Sequence, residues 1–262
     1  MNIKIASPLY ILREEASADL WKVMERLAEI GFDGIEFLGL FGKSPREIRV
    51  KLDSLGMSAL GDHVSLTDLM RDAEQIIEDR NIMGCSYLTI GWPSQEIGTS
   101  HPDFEKTLEE MAVAAAKIKS CGMTPLYHNH AFEFYASETK WIEKLFAAAA
   151  ENGLCFEPDL GWIAVTGEAP AEYLKKHRAI CPVIHLKDIY METPVTAPDK
   201  GQFTFRPTGF GNLNLPDLMP LCLDCKPEWF VIDHDLAYER DSYEDLRKSL
   251  EYTKLLLEVQ PK

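Results

Sequence analysis

The chain has 262 residues, and its 42 acidic against 27 basic side chains give a formal net charge of −15. A surface this acidic argues against binding to nucleic acid, whose phosphates require Lys and Arg, and against docking on anionic lipid. No segment approaches the ~20 apolar residues of a membrane span. Residues 1–10 show no secretory signal, because they lack a basic region followed by an apolar run.

The six cysteines predict a cytoplasmic protein. They are scattered through apolar segments, which is typical of buried, reduced thiols. One C-x-x-C pair, Cys222 and Cys225, falls in a predicted helix and has no second pair. Buried cysteines are therefore favoured over a zinc or redox site.

Short apolar runs predict eight strands, and amphipathic stretches such as 17–30, 102–119 and 139–150 predict helices between them. Five strands follow closely on a Gly at the end of a predicted helix, where Gly supplies the left-handed conformation that ends the helix. The predicted strands are 3–7, 34–37, 57–61, 86–91, 123–128, 154–159, 183–188 and 229–235.

This alternation predicts an α/β fold, a (β/α)8 TIM barrel in a single domain spanning residues 1–262. Eight units in a chain of this length give about 33 residues per unit, the size of a βα barrel unit. A doubly wound open sheet is the alternative, but it usually has fewer strands, and the first βα turn lacks G-x-G-x-x-G. The longest connection, 190–211, follows the seventh strand and is predicted to be a functional loop on the catalytic face.

Polar side chains end most of the predicted strands. In a βα barrel these ends form the active site, and side chains two residues apart on one strand face the same side. The residues are Glu36, Asp62, His63, His128, Asn129, His130, Glu133, Glu157, Asp159, His185, Lys187, Asp188, Asp233, His234 and Asp235.

Four of these residues predict a metal site: Glu133, Asp159, His185 and Asp233. Buried acids repel one another unless a cation neutralises them, and one His with three carboxylates suits a divalent ion. Mn²⁺ is favoured over Mg²⁺, Co²⁺ or Zn²⁺. The alternative is that each acid caps the following helix, but capping does not explain a His and a Lys in the same layer.

The neighbouring residues predict substrate contacts. Lys187 is expected to face the interior with His185 and to stabilise an enediolate, and an ion pair with Glu157 or another strand-end acid is an equal alternative. His130 is a candidate acid/base group. The GFG at 209–211 is only a weak signal for phosphate binding. The predicted substrate-binding residues are His63, His128, Glu36, Glu157 and Trp162, the last as an apolar wall for a sugar ring or as barrel packing.

Seven segments resemble the sugar phosphate isomerase/epimerase superfamily of xylose isomerase-like TIM barrels, and within it the relatives of inosose dehydratase and keto-sugar 3-epimerase. Their order and spacing carry the resemblance, which covers nearly the whole chain. The segments are GFDGIEF (31–37), GDHVSL (61–66), YHNHAFEF (127–134), EPDLGWIAVTG (157–167), HLKDIY (185–190), GFGNLNLPDL (209–218) and FVIDHD (230–235).

The resemblance implies a divalent metal held by an acid after strand five, an Asp after strand six, a His after strand seven and an acid on strand eight. The matching positions here are Glu133, Asp159, His185 and Asp233. The eighth-strand acid is most often Glu in the family, whereas this chain has the shorter Asp233. That departure weakens a two-base epimerase mechanism in which Glu133 and Asp233 are the two bases.

The leading hypothesis is a divalent-metal-dependent sugar isomerase or epimerase that abstracts a proton next to the carbonyl of a keto-sugar or related polyol. Its predicted catalytic residues are Glu133, Asp233, Lys187 and His130. An inosose-type dehydratase or a 3-keto-glycoside eliminase is the close alternative. An endonuclease IV-like DNA repair enzyme and a non-catalytic sugar-binding barrel are less favoured. The expected partner is a small sugar or polyol, and association into a homo-oligomer is left open.

Overall fold

The computed structural model describes residues 3–92, 103–135, 141–192 and 203–260. The strands are β1 (Lys4–Pro8), β2 (Gly34–Phe37), β3 (Ser58–Ser65), β4 (Tyr87–Trp92), β5 (Thr124–His128), β6 (Cys155–Glu157), β7 (Val183–His185), β8 (Asp188–Met191), β9 (Phe203–Arg206) and β10 (Trp229–Val231). The helices are α1 (Arg13–Ile30), α2 (Pro45–Leu55), α3 (Leu66–Met83), α4 (Phe104–Ser120), α5 (Phe132–Tyr135), α6 (Trp141–Ala149), α7 (Leu160–Val165), α8 (Pro170–His177), α9 (Leu215–Asp224) and α10 (Ser242–Glu258).

Eight parallel strands form a barrel with helices between them, which confirms the predicted TIM barrel. The strands are hydrogen-bonded in the order β6-β5-β4-β3-β2-β1-β10-β7. The seam between β6 and β7 is closed by a single parallel bridge between Asp159 and His185 and by a 2.9 Å hydrogen bond from the His185 amide to the Pro158 carbonyl. Two predicted metal ligands therefore lie at the seam that closes the barrel.

The five glycines predicted to end helices all have positive φ. Gly56, for example, ends α2 with φ 68° and ψ 22°, and its amide donates to carbonyls in the last turn. This left-handed conformation is strained for residues with a Cβ. The predicted rule for the helix-to-strand junctions is confirmed.

The last three barrel strands are shorter than the patterns 154–159, 183–188 and 229–235 predict, because each keeps only three residues in the sheet. After β6 the backbone turns into α7, and after β7 it turns into a two-stranded antiparallel hairpin of β8 and β9, in which Ile189 lies opposite Phe205. Part of the connection 190–211 is therefore ordered hairpin, and its residues 193–202 lie outside the described residues.

The core has two parts. Inside the barrel, seven buried side chains from six strands pack together, among them Leu60, Tyr87 and Trp229. They fill the interior below the polar strand ends. A larger apolar cluster lies between the strands and the surrounding helices. No helix in the described part of the chain is long and apolar enough to cross a membrane.

Candidate active site

A cavity of about 660 Å³ opens at the carboxyl ends of the strands. One side is apolar, and the floor is polar, a combination typical of small-molecule sites. The polar lining residues include Glu36, His63, His128, His130, His185, Asp233 and Asp235, and the apolar ones include Leu9, Phe37, Leu38, Trp162, Phe205 and Leu236. Eight residues predicted from the sequence to form the site, these seven polar ones and Trp162, therefore line one cavity.

Strand positions bring the floor residues together. His128, Glu157 and His185 are the last residues of β5, β6 and β7, and His128 lies directly opposite Glu157 in the ladder. The ring centroids of His128 and His185 are 4.4 Å apart, and those of His63 and His128 are 5.0 Å apart. Glu157 is fully buried beneath this layer, so its predicted substrate contact would require access through the histidines.

A second buried set combines Asp159, His185 and Asp233, whose ligand atoms lie close enough to hold a metal ion. The His185 Nδ1 is 3.4 Å from the Asp233 Oδ2. Burial opposes ionisation of Asp233, but the Lys187 ammonium and His185 hold the pKa of its carboxyl well below the ordinary value. Burial raises the pKa of Asp159, and the positive charge of Lys187 opposes this shift.

Lys187 is fully buried and is paired with three acids. Its Nζ is 2.8 Å from the Asp159 Oδ2, 2.8 Å from the Asp233 Oδ2 and 3.0 Å from the Asp235 Oδ1. The ion-pair alternative is thus present in the structure, with partners other than Glu157. Burial lowers the pKa of Lys187, but these carboxylates outweigh it and raise the pKa well above the ordinary value. Direct contact with a substrate would require the ammonium to leave Asp233.

Gly161, which has no side chain, leaves room for Lys187. A Cβ on Gly161 would lie 2.9 Å from the Lys187 Cγ and 2.9 Å from its carbonyl oxygen. Above, the ammonium lies 5.1 Å from the ring centroid of Trp162 and 5.6 Å from that of Phe205. These two rings cover the lysine and form the apolar wall of the cavity.

Two groups of side chains are close enough to hold a metal ion, Asp159 with His185 and Asp233, and His63 with His128, Glu157 and His185, and Glu133 belongs to neither. Its carboxylate accepts a 2.7 Å hydrogen bond from the Tyr127 hydroxyl and bonds of 2.9 and 3.0 Å from the His130 amide. Burial raises the pKa of Glu133 to about 7. To act as a metal ligand or base, Glu133 would have to break these bonds, and both roles stay predictions.

The histidines differ in charge because their surroundings differ. Burial, together with nearby cationic side chains, lowers the pKa of His130 to about 3 and that of His128 well below its ordinary value. Burial also opposes the charged form of His63, but Glu36 and Glu157 outweigh it and raise its pKa to about 10. His128 and His130 are therefore neutral at physiological pH and can accept a proton or bind a metal.

The unpaired oxygen and nitrogen atoms at the floor of the cavity are suitable ligands for a divalent cation. Both carboxylate oxygens of Glu157, the Oδ1 of Asp233 and the Nδ1 of His128 are buried without a hydrogen-bond partner among the described residues. Such atoms are costly to bury unless they are compensated. Carboxylate oxygens and imidazole nitrogens are suitable ligands for Mn²⁺, Co²⁺ and Zn²⁺.

Several lining residues were not predicted from the sequence, among them Phe205, Tyr10 and Arg13. Phe205 comes from β9, in the segment expected to be a loop. Tyr10 comes from the turn after β1, and Arg13 is the first residue of α1. Arg13 donates a 2.7 Å hydrogen bond to the Tyr10 carbonyl and stacks over the Tyr10 ring. Their place after the first strand was the available signal, because every βα turn of a barrel borders its catalytic face.

The GFG segment at 209–211 does not form an open anion cradle. The amides of Gly209 and Gly211 each donate a 2.9 Å hydrogen bond to the Oδ2 of Asp188. The amides of Ile189 and Leu213 donate to its Oδ1. Asp188 thus fills the position that a phosphate would need and holds the hairpin against the barrel.

No family model matches the chain. Among curated proteins, an inosose dehydratase from Geobacillus kaustophilus is 24% identical over 193 residues, which cover 64% of this chain and 61% of that protein. The alignment thus spans less than two thirds of the curated relative.

Solved structures share the fold over nearly the full length. A sugar phosphate isomerase/epimerase from Parabacteroides distasonis is 17% identical and has a TM-score of 0.74, covering 96% of this chain and 94% of that one. The probable 3-DHS dehydratase AsbF from Bacillus anthracis is 13% identical, with a TM-score of 0.76 and coverages of 96% and 99%. A xylose isomerase-like TIM barrel protein from Mycobacterium smegmatis, in complex with magnesium, is 16% identical, with a TM-score of 0.72 and coverages of 98% and 97%. The structural neighbours of this chain are thus sugar phosphate isomerase/epimerase and xylose isomerase-like TIM barrels.

Proposed function

We propose that this xylose isomerase-like barrel is a divalent-metal-dependent isomerase or epimerase that acts on a keto-sugar or a related polyol. The observation that carries the proposal is the buried group of Asp159, His185 and Asp233 at the floor of a cavity large enough for a sugar. The structural neighbour that contains magnesium supports a divalent cation.

The cavity suits a sugar or polyol because one wall is aromatic and the floor is polar. Trp162 and Phe205 pack edge to face with ring centroids 5.4 Å apart and offer an apolar surface to the C–H face of a sugar ring. Glu36, His63 and His128 line the other side and can hydrogen-bond to hydroxyl groups.

A divalent ion in this centre would supply Lewis-acid polarisation of the carbonyl and the adjacent hydroxyl oxygen, which acidifies the neighbouring C–H. Asp159, His185 and Asp233 are the residues that would hold it. The Lys187 ammonium pairs with Asp159 and Asp233 and favours the ionised form of both carboxyls. Lys187 is also the candidate donor to an enediolate oxygen of the substrate, if its side chain leaves Asp233.

Proton transfer requires groups that border the cavity. Asp233 and His130 are both unprotonated at neutral pH, as a general base must be, although their lowered pKa values make them weak bases. Both line the cavity, and they come from strands three positions apart in the ring of eight. Return of the proton to the same carbon from the other face would give epimerisation, and return to the neighbouring carbon would give isomerisation. Glu133, hydrogen-bonded to the His130 amide, would position His130.

Dehydration is the second candidate, because two of the similar proteins are named as dehydratases. It shares the first step, abstraction of a proton next to a carbonyl, and then expels a β-hydroxyl group as water. The proton acceptors named above would serve this reaction equally well.

The test is to incubate the purified protein with Mn²⁺ and a panel of keto-sugars and keto-inositols in D₂O. We expect deuterium next to the carbonyl of one class of substrate, detected by proton NMR. Mass spectrometry separates the candidates, because dehydration removes one water whereas isomerisation and epimerisation conserve the formula. Absence of both exchange and water loss across the panel would contradict the proposal.

His185→Ala and Asp159→Ala should lose the metal of this centre and exchange activity together. Glu251→Gln is the matched control, because it removes an exposed carboxylate that pairs with Arg247 on the outer surface, and it should keep both. Exchange activity that persists in a metal-free His185→Ala protein would refute the metal-dependent mechanism.

A further inference from the structure

The two ring nitrogens of His185 face two different sets of acids. Its Nδ1 is 3.4 Å from the Asp233 Oδ2, on the side of the metal group proposed above. Its Nε2 is 3.2 Å from the Glu36 Oε2 and 3.5 Å from the Glu157 Oε1. The imidazole therefore separates two clusters of potential ligands at the bottom of the cavity.

On the Nε2 side of His185, the distances between potential ligand atoms are close to those between neighbouring ligands of a metal ion. The His63 Nε2 is 3.2 Å from the Glu36 Oε2 and 3.4 Å from the Glu157 Oε2, close to the separations that the His185 Nε2 makes. A tetrahedral site with bonds of about 2.0–2.1 Å has neighbouring ligand atoms about 3.3–3.4 Å apart. Each of the two imidazole nitrogens thus lies near this separation, at 3.2–3.5 Å, from an oxygen of both carboxylates.

A third imidazole borders the same point. The ligand atoms of His63, His128, Glu157 and His185 all lie within 4.8 Å of one another. Both Glu157 oxygens are buried and have no hydrogen-bond partner among the described residues. A fully buried carboxylate that faces several imidazoles without a hydrogen bond is an arrangement that a bound cation satisfies.

The two clusters differ in whether a lysine or arginine neutralises their carboxylates. Asp159 and Asp233 have the Lys187 ammonium between them. In the described part of the chain, no Lys or Arg pairs with Glu36 or Glu157, whose ion-pair partners there are His63 and His185. The first cluster thus has a lysine as its counter-charge, whereas the described counter-charges of the second are imidazoles, whose protons a divalent cation can displace.

We propose that the barrel holds a second divalent cation, bound by His63, His128 and Glu157 with Glu36 beside them, on the Nε2 side of His185. The donors are imidazole nitrogens and carboxylate oxygens, a set that suits Zn²⁺, Co²⁺ or Mn²⁺ better than Ca²⁺ or Mg²⁺. The second site extends the proposed function by one cation, and its existence does not depend on which reaction the enzyme performs.

The test is the metal content of protein stripped with a chelator, loaded with Co²⁺ and dialysed. We expect two equivalents of cobalt per chain in the wild type and one equivalent in Glu157→Gln and in Asp233→Asn. Glu228→Gln is the matched control, because Glu228 accepts a hydrogen bond from Tyr87 and belongs to neither cluster, and it should keep two. One equivalent in the wild type that Glu157→Gln leaves unchanged would overturn the second site.

Anomalous diffraction at the cobalt edge tests the same point without any variant, so misfolding of Glu157→Gln cannot obscure the result. Two peaks, one on each side of the His185 ring, are expected. A single peak beside Asp159 and Asp233 would overturn the second site and leave the proposed function intact. A single peak between His63 and Glu157 would support the second site and overturn the ligands proposed for the first. No peak would overturn both.

Discussion

At the residue scale, Asp159 combines two roles that the sequence presents as alternatives. Its Oδ1 accepts a 2.8 Å hydrogen bond from the Trp162 amide and so caps α7. Its Oδ2 points the other way and lies 2.8 Å from the Lys187 ammonium. A carboxylate has two oxygens, so helix capping and participation in a charged site are compatible at one position.

Lys187 is the residue on which the charge balance of the first cluster depends. Lys187→Met should lower the free energy of unfolding by about 3–5 kcal/mol in EDTA, because the buried Asp159 and Asp233 and the half-buried Asp235 would lose their ammonium. Added Mn²⁺ should restore part of this loss, since a metal replaces the missing positive charge. Urea unfolding with EDTA and with Mn²⁺ measures both effects.

The control for this comparison is Lys175→Met, which removes an exposed lysine paired with Glu172 on α8. Surface ion pairs contribute little, so its stability should match that of the wild type in both buffers. If Lys187→Met were as stable as the wild type in EDTA, the buried ammonium would not be the group that neutralises these acids.

At the element scale, the seam between β6 and β7 links the fold to the site. Elsewhere in the barrel, neighbouring strands pair over three to five positions, whereas β6 and β7 share one bridge at Asp159 and His185. Both residues belong to the first ligand cluster. A cation bound there would therefore hold the two strands together at the weakest part of the sheet.

The helix-to-strand junctions give a separate prediction about stability. Gly56→Ala should lower the free energy of unfolding by about 1 kcal/mol, because Gly56 has φ 68° and an L residue is strained there. A Cβ at Gly56 would meet nothing within 4 Å, so steric contact adds nothing to the backbone strain. Urea denaturation measures the change.

Ser54→Ala, two residues earlier in α2, is the matched control and should have little effect, because Ser54 is exposed and lies in the helix. Gly56→Asn should cost less than Gly56→Ala, since Asn tolerates the left-handed conformation better. Equal stability of Gly56→Ala and the wild type would show that α2 can end without this conformation.

At the scale of the whole molecule, the net charge of −15 and the lining of the cavity both disfavour binding to nucleic acid. Arg13 is the single Lys or Arg among the residues that line the cavity in the described part of the chain. A nucleic-acid site needs many such contacts with phosphates. The local acids and histidines instead form a floor suited to a small polar molecule and cations.

Duplex DNA containing an abasic site should therefore not bind the metal-loaded protein at about 0.15 M salt, where counterion release gives an acidic protein no advantage. Fluorescence anisotropy, with an undamaged duplex of the same sequence as the control, measures this. Tight binding specific to the abasic duplex would instead favour the endonuclease alternative, for which a multi-metal site would be expected.

Much of the architecture was predictable because local patterns encode it. The alternation of apolar runs and amphipathic stretches predicted all eight barrel strands, and the glycines predicted where helices end. The lengths of β6, β7 and β10 were not predictable, since an apolar run does not show where the backbone leaves the sheet. The hairpin of β8 and β9 was missed for a similar reason, because its pairing joins residues distant in the chain.

The sequence by itself determined the barrel and the set of polar residues at its strand ends, since periodicity and chain order control both. Only the tertiary structure decided which of those residues contact one another and which cluster each belongs to. It turned Glu133 toward Tyr127, placed Lys187 among three acids, and set His63 and Glu157 around the far side of His185. The contacts of Lys187, His63 and Glu157 join strands far apart in the chain and depend on barrel closure. The contact of Glu133 is local but depends on side-chain orientation, which no sequence pattern records.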